Sequence, residues 1–381
     1  MSSFSGMEND VTHGTCGPLQ KLLVLDFSTL LPGPLASLML AEAGARVIKV
    51  ERPGGGDDMR LYQPRWGTDS AIFSLLNRGK ESLVVDLKDE AARATLMPLI
   101  QAADVLIEGF RPGVMQRLGL GYDELARINP RIIYCSITAY GQFGTNRDKP
   151  AHDLNLMAES GLLALSVTNP IEAVMPPTPV ADIAGGSYPA LVNILLAIVE
   201  RAQTDRGRHL DIALADNLFT LGYWALAHGW SHGDWPTERT HLENGASPRY
   251  RLYVSRDGKG IAAAALEEKF WHNFCDAVGL RPELRDDSRD PKATTQEISR
   301  LIAATDAAVW AERFAARECC CSVIEDLRTA VSKPHFEDRG LFRHRVLNSS
   351  GASMPALPVP LDPGFRASSP TQRAAPSLPN E

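Results

Sequence analysis

The chain has 381 residues, 44% of them hydrophobic and 22% charged, and a net charge of −7. One compact core rarely grows to that length, so two domains are expected, and the acidic balance argues against a nucleic-acid partner while leaving room for a local arginine cluster that holds a small anion. No run approaches ~20 continuous apolar residues, which excludes a membrane span at this level, and the polar N-terminal segment lacks the apolar core of a secretory signal.

In chain order, Leu22 to Phe27 is an apolar run that reads as a buried strand. Leu31-Pro32-Gly33-Pro34 turns the chain into a helix from about Leu35 to Ala43, with Gly44 as its C-terminal stop. Arg46 to Val50 and Ser82 to Leu87 are further strands, and an amphipathic helix is predicted from Asp89 to about Ala102. Val105 to Ile107 and Ile132 to Thr138 continue the alternation. Strands separated by single helices imply a parallel sheet covered on both faces, so the fold class is α/β, with a large doubly wound, Rossmann-like domain over residues 1–215. The pattern then changes. A long apolar helix over Asp216 to Trp230 and a polar stretch to Gly245 form a connection over 216–245. A smaller α+β domain follows over 246–340, with a hairpin (Arg249–Ser255 and Ile261–Ala265) turning at Asp257-Gly258 and helices near Glu267–Val278 and Thr294–Ala316. Residues 341–381 return to the large domain, and the Pro-, Ser- and Ala-rich segment from Pro358 reads as a loose tail.

The six cysteines are Cys16, Cys135, Cys275 and the run Cys319-Cys320-Cys321. None has CxxC or Cys/His metal spacing, so no metal site and a reduced, cytoplasmic protein are expected, with Cys135 and Cys275 as core packing. Gly54-Gly55-Gly56 lacks the Gly-Lys-Ser/Thr ending of a phosphate loop and is followed by two aspartates, so it reads as a turn. No GxGxxG follows the first strand, which argues against a nicotinamide site. Arg52, Arg78, Arg111 and Arg117 stand near predicted strand ends, where the ligand crevice of an open α/β sheet lies, and arginine pairs with phosphate oxygens.

The segments Ala151-His152-Asp153-Leu154-Asn155 and Pro179-Val180-Ala181-Asp182, followed by Gly185-Gly186, place an imidazole and a carboxylate 30 positions apart, each opening an apolar helical run. Helix starts offer unpaired N–H groups to an anion or an enolate oxygen, and histidine titrates near neutrality. Two bases facing one carbon can remove a proton from one side and return it to the other, an isomerisation that needs no cofactor. The plainer alternative is that His152 is structural and that Asp182 and Glu267 are helix caps.

Leu25-Asp26-Phe27, Pro32-Gly33-Pro34, Gly44 through Pro53, Asn77-Arg78, Ala103 through Gly113, Leu118 through Gly121 and Gly141 through Gly144 together resemble the class III CoA-transferase superfamily, and within it the α-methylacyl-CoA racemases. The resemblance implies two chains interlocked as rings in a homodimer. It implies an acyl-CoA site between the large domain of one subunit and the small domain of its partner, with Arg52, Gly109, Arg111 and Arg117 along the CoA moiety. No tightly bound cofactor is implied, CoA being part of the thioester substrate. His152 before Asp153 is similar to racemases, Asp182 matches the carboxylate that transferases use as nucleophile, and Glu267 matches a carboxylate that supports the histidine. Leu156 stands where racemases often have tyrosine, and Ala184 replaces a glycine, both bearing on the acyl pocket. The resulting expectation is epimerisation of 2-methylacyl-CoA thioesters, with His152 and Asp182 on opposite faces, Glu267 steadying His152 from the partner, and N–H groups near Gly185 holding the enolate. The alternatives are CoA transfer through an Asp182 acyl anhydride and aspartyl-CoA thioester, and a CoA-ester binder without turnover.

Overall fold

The computed structural model describes residues 17–166, 175–237, 240–367 and 369–378, so Cys16 lies outside the described residues. The described residues of Met1–Leu156, Thr178–Leu218 and Asp338–Glu381 form one compact unit, and those of Met157–Pro177 and Phe219–Glu337 form another.

The first unit is built on six strands: β1 (Leu23–Asp26), β2 (Arg46–Glu51), β3 (Glu81–Val84), β4 (Val105–Glu108), β5 (Ile133–Thr138) and β6 (His209–Ala213). All pair in parallel, in the order β3-β2-β1-β4-β5-β6, which is the doubly wound arrangement whose connections reverse between β1 and β4. Two apolar clusters make up the core around the sheet. Leu25, Ile48, Val50, Leu106 and Tyr134 pack with Ile100, Met115 and Leu125 on one face. Leu35, Leu38 and Met39 of helix α1 (Pro32–Glu42) pack with Phe73 and Leu76 of α2 (Ala71–Asn77) in another cluster.

Charge as well as apolar burial fixes the turn after β1. Asp26, Lys49, Asp57 and Lys80 are all buried. Lys80 Nζ lies 3.3 Å from Asp26 Oδ2, and Lys49 Nζ lies 2.9 Å from Asp57 Oδ2. Lys49 also donates to the Ser28 carbonyl at 2.8 Å, and Asp26 accepts the backbone N–H and hydroxyl of Ser28 and the hydroxyl of Ser37. Asp57 receives the N–H of Leu30, whose φ of 63° is left-handed and so costs on the order of 1–2 kcal/mol for a residue with a side chain. Burial alone would raise the Asp26 carboxyl, but Lys80, Lys49, Ser28 and Ser37 outweigh it and hold the group at about 2.

Several elements differ from the periodic reading, each for a local reason. Helix α1 begins at Pro32, because proline is preorganised for the first helical turn. The predicted helix Asp89–Ala102 is two short ones, Glu90–Ala94 and Met97–Ala102, with Pro98 unable to donate across the join. The segment after Pro358 is not a loose tail. Gln372–Ala374 pairs in parallel with Arg345–Leu347, the Gly79 N–H donates to the Ala374 carbonyl, and Arg366 donates to the buried Glu42 carboxylate at 2.9 Å. Helix α4 (Tyr188–Thr204), with the π-helical segment Ala181–Ser187 before it, makes Ala181–Thr204 long and apolar enough to cross a membrane by length and composition, although no continuous apolar run was evident. Its Arg201 is buried against the Asp104 carboxylate at 2.9 Å, as suits a helix laid on a sheet.

In the second unit, β7 (Tyr250–Val254), β8 (Gly260–Ala264) and β9 (Cys321–Val323) form an antiparallel sheet in the order β9-β8-β7, with the expected hairpin. The predicted single helix over Asp216–Trp230 is instead Leu214–Leu218 and α5 (Tyr223–His232), interrupted before Gly222. Helix α6 (Glu268–Val278) packs Trp271 and Phe274 into the core. The helix predicted over Thr294–Ala316 breaks into α7 (Pro291–Ile302) and α8 (Ala307–Ala315). The Trp310 ring N–H makes the corner by donating to the carbonyls of Ile302 and Thr305 at 3.0 and 3.1 Å.

Asp26→Asn keeps the side-chain shape and removes its charge, so the substitution is expected to cost about 3–5 kcal/mol of unfolding free energy. The Asp26 carboxyl lies below its unfolded value of 3.8, so its contribution is complete above that value and is lost as pH falls through about 2. Urea titrations should therefore show wild type and variant converging on acidification, and a constant difference down to about 2 would refute the role assigned to this charge.

Candidate active site

A crevice of about 370 Å³ opens beyond the carboxyl ends of β1, β4 and β5. The reversal of strand order leaves room there between neighbouring connections. Ser28, Thr29 and Leu30 come from the turn after β1, Pro32 and Gly33 from the start of α1, Gly109, Phe110 and Arg111 from the turn after β4, and Thr138 and Ala139 from the end of β5. His152, Asn155 and Leu156 enter from the start of α3 (Asp153–Glu159), and Asp182 from the π-helical segment.

His152 and Asp182 thus line one crevice, 30 residues apart in sequence. His152 is exposed and Asp182 half-buried. Asp153 explains part of their pairing: its Oδ1 accepts the Asp182 N–H at 2.9 Å, joining the two helix starts. Asp182 is not a side-chain cap of its own helix. Burial pushes its carboxyl up to about 6, the charge of Asp153 adds to the rise, and His152 opposes it. A carboxyl at that level can both take and give a proton near neutrality.

The glycines after Asp182 serve packing. A Cβ on Gly185 would lie 2.6 Å from the Leu214 carbonyl oxygen, and Gly185 is buried and is not among the residues that line the crevice. Close approach of the helix to the chain after β6 is what excludes a side chain. Leu156 is buried and lines the crevice, in keeping with an effect on the acyl pocket.

The arginines separate into three kinds. Gly109 and Arg111 line the crevice. Arg117 lies one turn further on, and its guanidinium and that of Arg147 flank Gly113, whose φ of 82° leaves the turn free of a Cβ that would meet Arg117 Nη1 at 3.1 Å. Arg52 is exposed at the end of β2, paired with Asp58, and does not line the crevice. Arg78, although near a strand end in sequence, is buried against Glu42 at 2.9 Å and donates to the carbonyls of Leu75 and Leu357, so it is structural. Arg147 and Lys149 also line the crevice but sit in a polar loop with no periodic or motif signal. The sequence carries no signal for Thr138 either: its hydroxyl oxygen is buried without a hydrogen-bond partner among the described residues, on a residue that lines the crevice.

Glu267 belongs to the second unit, at the start of α6, where it is exposed and its side chain does not cap the helix. Among the described residues no group of His, Cys, Asp and Glu is arranged to hold a metal ion.

Comparison with known proteins gives the family of the chain. The chain is 33% identical over 368 residues to the acetyl-CoA:oxalate CoA-transferase of Acetobacter aceti, covering 93% of this chain and 92% of that protein. It is 31% identical over 350 residues to the human alpha-methylacyl-CoA racemase, covering 90% and 86%. A solved CAIB/BAIF family protein from Brucella suis superposes with a TM-score of 0.78 at 25% identity, covering 91% of this chain and 92% of that one. The family model of CoA-transferase family III matches residues 19–380, so the chain belongs to that family, as the motifs from Leu25 to Gly144 imply.

Proposed function

We propose that this family III enzyme epimerises 2-methylacyl-CoA thioesters by 1,1-proton transfer. The observation that carries the reading is one crevice lined by both His152 and Asp182, with the Asp182 carboxyl raised to about 6. The α-proton of a thioester is weakly acidic, so its removal needs a placed base and a place for charge on the enolate oxygen. His152 takes the proton from one face and Asp182 returns one to the other, the roles exchanging for the opposite enantiomer. A cavity of about 370 Å³ suits the acyl and thioester end. Arg111 and Arg117 hold the CoA phosphates, with Gly109 giving close backbone approach, and Arg52 meets the nucleotide end once released from Asp58.

The enzyme works as a homodimer, with Glu267 of a partner steadying His152. An exposed apolar stripe on α4, comprising Tyr188, Val192, Leu196 and Val199, supports burial against a second copy. No tightly bound cofactor takes part. The unpaired, buried thiols of Cys135 and Cys275 favour the reducing cytoplasm.

A second reading, CoA transfer, is favoured by the similarity to the oxalate CoA-transferase. There Asp182 attacks the thioester carbonyl and expels CoA thiolate, leaving an acyl anhydride; the thiolate attacks the aspartyl carbonyl and releases the donor acid, leaving an aspartyl-CoA thioester. An incoming carboxylate attacks that thioester and expels CoA thiolate again, which then attacks the incoming acyl carbonyl to form the new acyl-CoA and restore Asp182.

A 2-methylacyl-CoA incubated with the protein in D₂O, without any acid acceptor, should exchange its α-proton and lose optical purity. His152→Gln and Asp182→Asn should each slow exchange by about 10²–10⁴-fold. Full retention of α-protium defeats the proposal, and hydroxylamine trapping at Asp182 with ping-pong kinetics would favour transfer.

Asp153→Asn keeps the acceptor for the Asp182 N–H and removes the charge. The Asp182 carboxyl should then fall below about 6, and the acid limb of the kcat/KM profile should move to lower pH. An unmoved limb would show that this carboxyl does not govern the rate.

Co-expression of His152→Gln with Glu267→Gln subunits should recover about a quarter of wild-type activity if Glu267 acts across the dimer, because half the assemblies then hold one intact site. No recovery places Glu267 in the same subunit's site, and full activity of Glu267→Gln alone places it outside catalysis.

A further inference from the structure

Below the turn that carries Gly109, Phe110 and Arg111 lies a buried carboxyl that the proposed reaction does not use. Glu108 is the last residue of β4, and its Oε2 accepts the Phe110 N–H at 2.8 Å. Ser136 is its register partner on β5 and hydrogen-bonds the carboxyl. The Ser136 hydroxyl also lies 2.9 Å from His209 Nε2 on edge strand β6. The His209 ring is half-buried, stacked on Tyr122 with centroids 5.3 Å apart and edge-on to Tyr134 at the same separation. A continuous chain therefore runs from the crevice turn across two strands to the edge of the sheet.

The charged and titratable groups around this chain are few. Tyr134 and Cys135 lie on β5, His209 and Asp211 on β6, and Asp123 and Glu124 on the helix Tyr122–Ile128. Asp211 accepts the Gln142 N–H at 3.0 Å, so it is engaged with the loop after β5. Burial pushes the Glu108 carboxyl up to about 7, against the pull of the Ser136 hydroxyl and the Phe110 N–H, and Asp211 adds to the rise. Burial pushes His209 down, so its ring is available as a neutral acceptor.

These contacts permit two arrangements with the same heavy atoms. In one, Glu108 donates its O–H to Ser136, which donates to His209 Nε2. In the other, His209 Nε2–H donates to Ser136, which donates to the carboxylate. Passing from the first to the second moves one proton from Glu108 to His209, and loss of the Nδ1 proton to solvent completes ionisation of the carboxyl. The second arrangement leaves a negative charge beneath the turn that presents Arg111.

We propose that Glu108 is a positioning residue whose ionisation, relayed through Ser136 and His209, weakens the hold of the Gly109–Arg111 turn on the anionic CoA moiety. This rests on the reading that the crevice binds CoA, and it adds a built-in dependence of affinity on pH. Glu108 itself touches no substrate.

The test is calorimetric titration of the full chain with dephospho-CoA, chosen because it lacks the phosphomonoester whose second ionisation falls in the same range. The wild-type Kd should rise roughly tenfold between about pH 6 and about pH 8 as a buried charge appears within about 10 Å of an anion. Glu108→Gln, which fixes the neutral form, should hold the tighter value across that range. Ser136→Ala removes a hydroxyl that favours the ionised form, so its midpoint should shift to higher pH. A Glu108→Gln profile with the wild-type slope, or a Ser136→Ala midpoint that stays or falls, overturns the inference while CoA binding stands. Absence of dephospho-CoA binding to wild type at every pH overturns the reading beneath it.

Discussion

The pairing of Asp26 with Lys80 and of Asp57 with Lys49 is the constraint on which the crevice depends. Four charges taken out of water are expensive, and they balance only while all four keep their places. Their second task is to hold backbone: the Ser28 carbonyl and N–H, and the Leu30 N–H, are all bound by members of the quartet. That grip sustains a left-handed leucine in the crevice wall. Burial of apolar surface would make a sheet from these strands but would not specify the path of this turn, because apolar contacts have no direction. Directional bonds to a buried ionic core do specify it.

The remaining walls follow from topology. Strands β1 and β4 are neighbours whose connections leave toward opposite faces, so the turns after them diverge and a space remains. Into that space the chain brings two helix starts distant in sequence, and Asp153 fastens one to the other through a single hydrogen bond. The acid and the imidazole therefore share an origin: burial does most to keep the Asp182 proton, and the residue that places Asp182 adds a negative charge to that effect. Position and acidity are set together.

Much of this was legible in the residues. The parallel sheet announces itself through short apolar runs separated by helical periods, and the His152 and Asp182 segments announce themselves as helix starts carrying reactive groups. What the chain does not announce is the partner each polar group finds. Arg78 and Arg111 both follow strand-like segments, yet one is buried against Glu42, 36 residues earlier, and the other lines the crevice. Gly185 looks like a backbone opening for a ligand and proves to be clearance for the Leu214 carbonyl. Arg147 and Lys149 lie in an irregular loop whose course depends on tertiary contacts, which no local period encodes. The C-terminal return is similar, since its composition favours disorder while Arg366 and the short strand at Gln372–Ala374 tie it down. What the fold contributes to the site is the shared crevice of His152 and Asp182.

The wide segment Ala181–Ser187 closes its rings one residue later than an ordinary helix would, and the Ser187 hydroxyl, 3.2 Å from the Asp182 carbonyl and 2.8 Å from that of Pro32, sits at its far edge. Each residue of an ordinary helix turns the direction of its neighbours by about 100°. Removing one residue between Asp182 and α4 would thus swing the carboxylate a quarter-turn or more around the axis while leaving every side chain chemically unchanged. The bearing of the acid is an arithmetic property of the chain.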